Sequence, residues 1–150
     1  MENNKIKDFW RIVKKTGYLG RGKMNKKNRK NALNTKVTGD KGEEAAVKAA
    51  VDKGYKIRCR NYAVHNVGEI DIIAEKDDDL YIFEVRARLN IGIYPDSDES
   101  VVRSKRRKVM RTAQYYVEQE ELYEKNLVFE VIKVTHDEQG NILGVEFVPF

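Results

Sequence analysis

The sequence predicts an α/β fold, a mixed sheet flanked by helices in the order α-β-β-β-α-β-β. Three observations predict it. A capped apolar helical pattern starts near residue 40, two period-2 segments flank the acidic break Lys76-Asp77-Asp78-Asp79, and a long helical stretch separates that hairpin from two last strands. Strands and helices do not alternate as in a βαβ array, so a layer of mixed pairing is expected.

The first helix is read from Asp40, with Glu43 three residues on at capping-box spacing and an apolar run Ala45, Ala46, Val47, Ala49, Ala50, Val51 behind it. Gly54 is its expected C-terminal stop, where the chain needs positive φ. A strand then spans Tyr55–Val64, with Ile57, Cys59 and Asn61 alternating against Lys56, Arg58 and Arg60.

Gly68–Glu75 and Leu80–Arg88 form the predicted antiparallel hairpin. One face carries Ile70, Ile72, Ala74, Tyr81, Phe83, Val85 and Ala87; the other carries Glu69, Asp71, Ile73, Glu75, Leu80, Ile82, Glu84, Arg86 and Arg88. Residues 89–100 read as a loop, Val101–Lys125 as a helix with Val109, Ala113, Tyr116 and Val117 inward, and 127–135 and 142–149 as strands around a turn at Asp137–Asn141.

Composition narrows the class. The chain has 150 residues, 41% hydrophobic and 35% charged, with a net charge of +5, which suits one compact domain. The charge is unevenly split: residues 1–38 hold 12 Lys/Arg and 2 Asp/Glu, and residues 39–150 hold 17 and 22. Cys59 has no second cysteine to pair with, and one thiol with His65 and His136 cannot make a structural zinc site. No apolar run approaches the roughly 20 residues of a membrane span, and the N-terminus lacks a secretory pattern, so a reducing cytoplasmic setting is the expectation.

Residues 1–38 read as a basic extension. Ile6, Phe9, Trp10 and Val13 make one stripe of a short amphipathic helix, and Gly20–Asn31 is almost without apolar residues, the composition of a flexible linker. Two readings stay open: an arm that meets nucleic acid, an anionic membrane surface or a protein through residues 1–20, or a solvated tail whose helix docks on its own domain.

A two-residue turn at Asp77-Asp78 places Asp71 opposite Glu84, about 4.5–5.5 Å apart at Cβ. Two carboxylates that close repel unless a cation lies between them, and an all-oxygen pair suits Mg²⁺. Arg86 follows on the same face. A sheet with one solvated face would alternate in the same way, but Ile73, Leu80 and Ile82 on that face call for a cover. On the long helix, Arg103, Lys105, Arg106, Arg107, Lys108 and Arg111 crowd the start and Glu118, Glu120, Glu121 and Glu124 the end. That opposes the helix dipole by about 0.3–1 kcal/mol per charge near a terminus, and suits phosphate at the basic end.

Gly39–Glu44, Gly54-Tyr55, Arg60-Asn61, Gly68–Ala74 and Phe83-Glu84-Val85-Arg86-Ala87-Arg88, continuing through Val101, Lys105, Ala113, Tyr116 and Phe129-Glu130-Val131, resemble the YraN-like family of small bacterial proteins. That family is similar to the PD-(D/E)XK nuclease superfamily, with its restriction-endonuclease-like fold and Holliday-junction resolvases. The resemblance covers roughly residues 39–135. It implies Asp71 and Glu84 as ligands of Mg²⁺ or Mn²⁺, Glu43 as an accessory acidic ligand, and Glu69 as an assisting carboxylate. Arg60, Arg88, Arg103, Lys105, Arg106 and Lys108 are the residues expected to contact nucleic acid.

Two positions depart from the family pattern. Arg86 stands where the superfamily has Lys; it stays protonated and can clamp a phosphate but cannot serve as a general base. Lys105 or Lys108 is the candidate replacement from the helix. Glu130 stands where the family usually has Asp. The expectation is a metal-dependent endonuclease-like protein acting on structured or branched DNA. The alternative is a DNA- or RNA-binding module that keeps the fold without cleavage, and a homodimer is expected only by family analogy.

Overall fold

The computed structural model describes residues 26–90 and 99–150. Helix α1 spans Lys26–Asp52, followed by strands β1 (Lys56–Val64), β2 (Gly68–Lys76) and β3 (Asp79–Leu89), helix α2 (Glu99–Glu120), and strands β4 (Asn126–His136) and β5 (Ile142–Pro149). The five strands form one sheet in the order β1-β2-β3-β4-β5, antiparallel except for the parallel β3–β4 pair. A parallel neighbour needs a crossover, and α2 is that crossover. The element order and mixed α/β class expected from the sequence are those observed. Among the described residues no helix is long and apolar enough to cross a membrane. The expected amphipathic helix of residues 1–18 lies outside the described residues.

The hairpin has the register expected of its two-residue turn. Lys76↔Asp79, Glu75↔Leu80, Ala74↔Tyr81, Ile73↔Ile82 and Ile72↔Phe83 are paired, with Asp77 at φ 54° in the turn. Helix α1 also stops as expected. Gly54 takes φ 88°, its N–H donates to the Val51 carbonyl, and the Tyr55 N–H donates to the Ala50 carbonyl, a Schellman stop.

Four expectations are corrected. Helix α1 begins at Lys26, so Asp40 lies inside it and is no N-cap, and residues 26–31, read as linker, are helical. The short polar run of residues 26–39 continues a helix whose apolar face begins only later, and a cap signal cannot override that continuation. Helix α2 ends at Glu120, before Lys125. Glu121 adopts φ 55°, its N–H donates to the Glu118 carbonyl and the Leu122 N–H to the Val117 carbonyl, the same Schellman geometry without a glycine. Because α2 starts at Glu99, the basic block from Arg103 fills its second and third turns and not its first.

The fourth correction concerns Ile70, which does not share a face with Ile72. Two buried clusters cover the two faces of the sheet. One joins Tyr62, Ile70, Ile73, Leu80 and Ile82 to Val109, Ala113 and Tyr116 of α2; the other joins Ile72, Ala74, Phe83, Ile132 and Val134 to Ala46 of α1. Tyr62 and its partner Ile70 both lie on the α2 side, next to Asn61 at φ 50°. The ladder's register shift falls earlier, between Ile57 and Cys59, which pack on opposite faces and not on one as expected. The apolar residues on the charged face are thus covered, by α2.

Helix α1 approaches the sheet closely at Gly42, where an added Cβ would come within 2.8 Å of the Ala87 Cβ. Only glycine fits that crossing, and it sets Glu43, the next residue, at the sheet. Both clusters and the candidate site lie within the unit spanning residues 34–150.

Candidate functional site

The β2–β3 ladder ends at Ile72↔Phe83, one step short of Asp71 and Glu84, while β3 stays paired with β4 along its whole length. The Asp71 carboxylate takes over where the ladder ends: Oδ2 accepts the Val85 N–H at 2.7 Å. Asp71 and Glu84 are therefore held beside each other at the point where β2 leaves β3. Glu84 is 5% exposed and its Oε1 pairs with Lys105 Nζ from α2.

Burial pushes the Asp71 carboxyl up to about 6; the Val85 hydrogen bond opposes that, the negative charges of Glu84 and then Glu43 add to it, and Lys105 lowers it. The charges acting on Asp71 thus come from β3 and from both helices. Glu43 is also tied to the sheet, its Oε2 accepting from Asn61 Nδ2 at 3.4 Å, and Asn61 lies across from Asp71 between the pairs Arg60↔Ile72 and Tyr62↔Ile70. Among the described residues no three His, Cys, Asp or Glu side chains converge as a closed metal cage. Glu43 therefore stands near the carboxylate pair without completing a three-carboxylate cluster.

The donor set fits a hard divalent ion. It consists of carboxylate oxygens alone, two of them close together, and Mg²⁺ is commonly held by one or two carboxylates with water completing the octahedron. Burial is the main reason Asp71 holds its proton more tightly, and the smaller contribution from the charges of Glu84 and Glu43 is the part a bound cation would relieve.

The remaining expected residues separate. Arg86, half-buried, follows Glu84 on β3 and is set beside Lys133 of β4. Lys105, expected as a nucleic-acid contact, is engaged with Glu84. Arg60 is paired with Glu44 of α1 at 2.7 Å, away from the α2 face. Glu69 is exposed and is not among the charges acting on Asp71. Arg103, Arg106 and Lys108 are exposed on α2, and Arg88 is half-buried on β3. Three contributors escaped the sequence reading: Asn61, the backbone N–H of Val85, and Lys133. For Asn61 a signal existed, since Asn tolerates left-handed backbone better than most residues.

A five-stranded mixed sheet between two helices, with a carboxylate pair where its hairpin parts and a lysine reaching in from the crossover helix, defines a small mixed α/β protein with a polar site on one face of its sheet. Residues 42–134, more than half of the chain, match the family described as "Uncharacterised protein family UPF0102". The chain belongs to that family, the YraN-like group. It is 42% identical over 103 residues to a UPF0102 protein of Clostridioides difficile, covering 68% of this chain and 88% of that one. It is 33% identical over 117 residues to one from Dictyoglomus turgidum (78% and 98%), and 36% over 101 residues to one from Persephonella marina (67% and 85%).

Proposed function

We propose that this protein binds nucleic acid on the α2 side of its sheet and cleaves it as a divalent-metal-dependent endonuclease acting on structured or branched DNA. The observation that carries the reading is the trio Asp71, Glu84 and Lys105: two carboxylates held together where the hairpin parts, with an ammonium beside the buried one. Asp71 and Glu84 would hold Mg²⁺ or Mn²⁺, which when bound supplies a Lewis acid and a more acidic water. Arg86 would neutralise the phosphate with a rigid, permanently charged fork. Lys105 restores what position 86 lacks, a compact ammonium on a flexible stem with three donors to orient the attacking water.

The test is incubation of the full chain and of Asp71→Asn with four-way-junction, single-stranded and duplex DNA plus Mn²⁺. Cleavage of the junction by the unaltered chain and none by Asp71→Asn is expected. Equal products from both chains on every substrate would sink the catalytic reading. The second reading, a binding module without cleavage, is favoured by one residue, Arg86 in place of Lys. It predicts salt-dependent DNA binding that survives Asp71→Asn with no products from either chain.

A further inference from the structure

On the α2 side of the sheet, one step past Glu84, lies an open pocket of about 210 Å³ lined by Arg86, Arg106, Lys133, Val131, Val148, Pro149 and Phe150. Its place follows from the strand register. Val131 and Val148 form an apolar pair next to Glu84, and Arg86 is beside Lys133 in the next row on the same face. Arg106 enters from α2, its guanidinium 5.7 Å from the centre of the Phe150 ring. That ring is fixed: the Phe150 N–H donates to the Phe129 carbonyl, and the two rings are 5.9 Å apart.

Three cations surround this apolar floor, and among the described residues none of them forms an ion pair. Glu146, across from Lys133 on β5, is exposed and leaves it unpaired. Other cations of the sheet and helices do meet carboxylates: Arg58 pairs with Glu75, Arg60 with Glu44, Lys48 with Asp52 and Lys105 with Glu84. Unmatched positive charge converging on a concave, part-aromatic surface is the chemistry that receives a phosphate and the flat ring next to it. The volume falls below the roughly 300–1,000 Å³ of a site for a whole drug-sized ligand, and suits a phosphate with part of a nucleoside. Arg86 lies about 6.6 Å along β3 from Glu84, two residues at about 3.3 Å each, so the pocket adjoins the carboxylates and shares that arginine with them.

We infer that this pocket is a nucleotide subsite, in which Arg86, Arg106 and Lys133 take a phosphate group and the Phe150 ring seats the base beside it. The further step, that this nucleotide is part of a strand reaching the carboxylate pair, rests on the nucleic-acid reading above. The test titrates the full chain with deoxyadenosine 5′-monophosphate, inorganic phosphate and a single-stranded oligonucleotide, for the unaltered protein and for Lys133→Ala, Arg106→Ala and Phe150→Leu. Lys133 and Arg106 are exposed, so their removal leaves the core intact. Each should weaken the nucleotide and phosphate roughly tenfold, the size of one lost charge-assisted contact. Phe150→Leu should weaken the nucleotide and leave inorganic phosphate unchanged. Oligonucleotide binding that Lys133→Ala and Arg106→Ala both leave unchanged overturns the pocket and leaves the nucleic-acid reading standing. Nucleotide binding that depends on Lys133, with no oligonucleotide bound, supports the pocket and overturns that reading.

Discussion

Lys105 of α2 places its ammonium against the carboxylate of Glu84 on β3, joining a half-exposed cation to a carboxylate that is only 6% exposed. The pair connects the crossover helix to the strand that carries the site, and it fills the charge role that Arg86 alone would leave to a rigid guanidinium.

Removing Lys105 should separate structure from chemistry. Lys105→Ala leaves a buried carboxylate without its partner, a loss of about 1–3 kcal/mol, which chemical denaturation should read without metal and Mn²⁺ should largely restore. Lys105→Arg keeps a cation on Glu84 and should hold stability within about 1 kcal/mol while cleavage drops by roughly 100-fold or more. Full cleavage by Lys105→Arg would remove the lysine from the mechanism.

Asp71 should make stability depend on pH in one direction. Its folded carboxyl, held at about 6, binds a proton more tightly than in the unfolded chain. Its contribution is therefore complete below the ordinary carboxylate range near pH 4 and is lost as pH rises through about 6. Asp71→Asn keeps an acceptor for the Val85 N–H and should be more stable than the unaltered chain by about 2 kcal/mol at pH 8, with the gain gone by pH 4. Denaturation midpoints at the two pH values check it; a gain that is larger at pH 4 would contradict the assignment.

Gly42→Ala pits two effects of known size against each other. Alanine favours a helix over glycine by about 0.8–1 kcal/mol, but its Cβ would meet the Ala87 Cβ at 2.8 Å. Overpacking of that kind costs about 1–3 kcal/mol. A net loss of about 1 kcal/mol is expected, and a stabilised Gly42→Ala would mean that the helix can lift from the sheet without penalty.

Arg60→Ala should cost less than about 1 kcal/mol, since the Arg60–Glu44 pair is largely exposed to solvent. Oligonucleotide affinity and its salt dependence should stay unchanged, because Arg60 is committed to α1 and not to the α2 face. A salt slope lowered by about 0.7, one phosphate contact to a single strand, would return Arg60 to the interface.

Local rules made much of this fold readable, and they failed where distant chain segments meet. A two-residue turn determines which residues face each other, so Asp71 and Glu84 could be paired from the acidic break alone. The burial of Ile73, Leu80 and Ile82 was foreseeable because a charged face with three large apolar residues needs a cover. The Asp40 cap was misread because a capping signal is short-range and a helix can run through it. Ile70 was misplaced because strict alternation assumes a regular ladder, whereas β1 carries a register shift between Ile57 and Cys59 and a left-handed residue at Asn61. Lys105 could only be nominated, since nothing local says how far α2 brings it toward β3. Lys133 was invisible because its importance arises from the parallel pairing of β3 with β4.

That parallel pairing also orders events in time. The β1-β2-β3 meander closes through short loops, so Asp71 and Glu84 meet early in the life of the chain. β4 joins β3 across 47 residues, as in the contact of Asn126 with Asp79, and contacts of such separation carry the larger loop-closure entropy. Lys133 and Phe150 reach Arg86 only after that closure. A chain still emerging from synthesis would hold its carboxylates together before it owned the surface that receives a nucleotide.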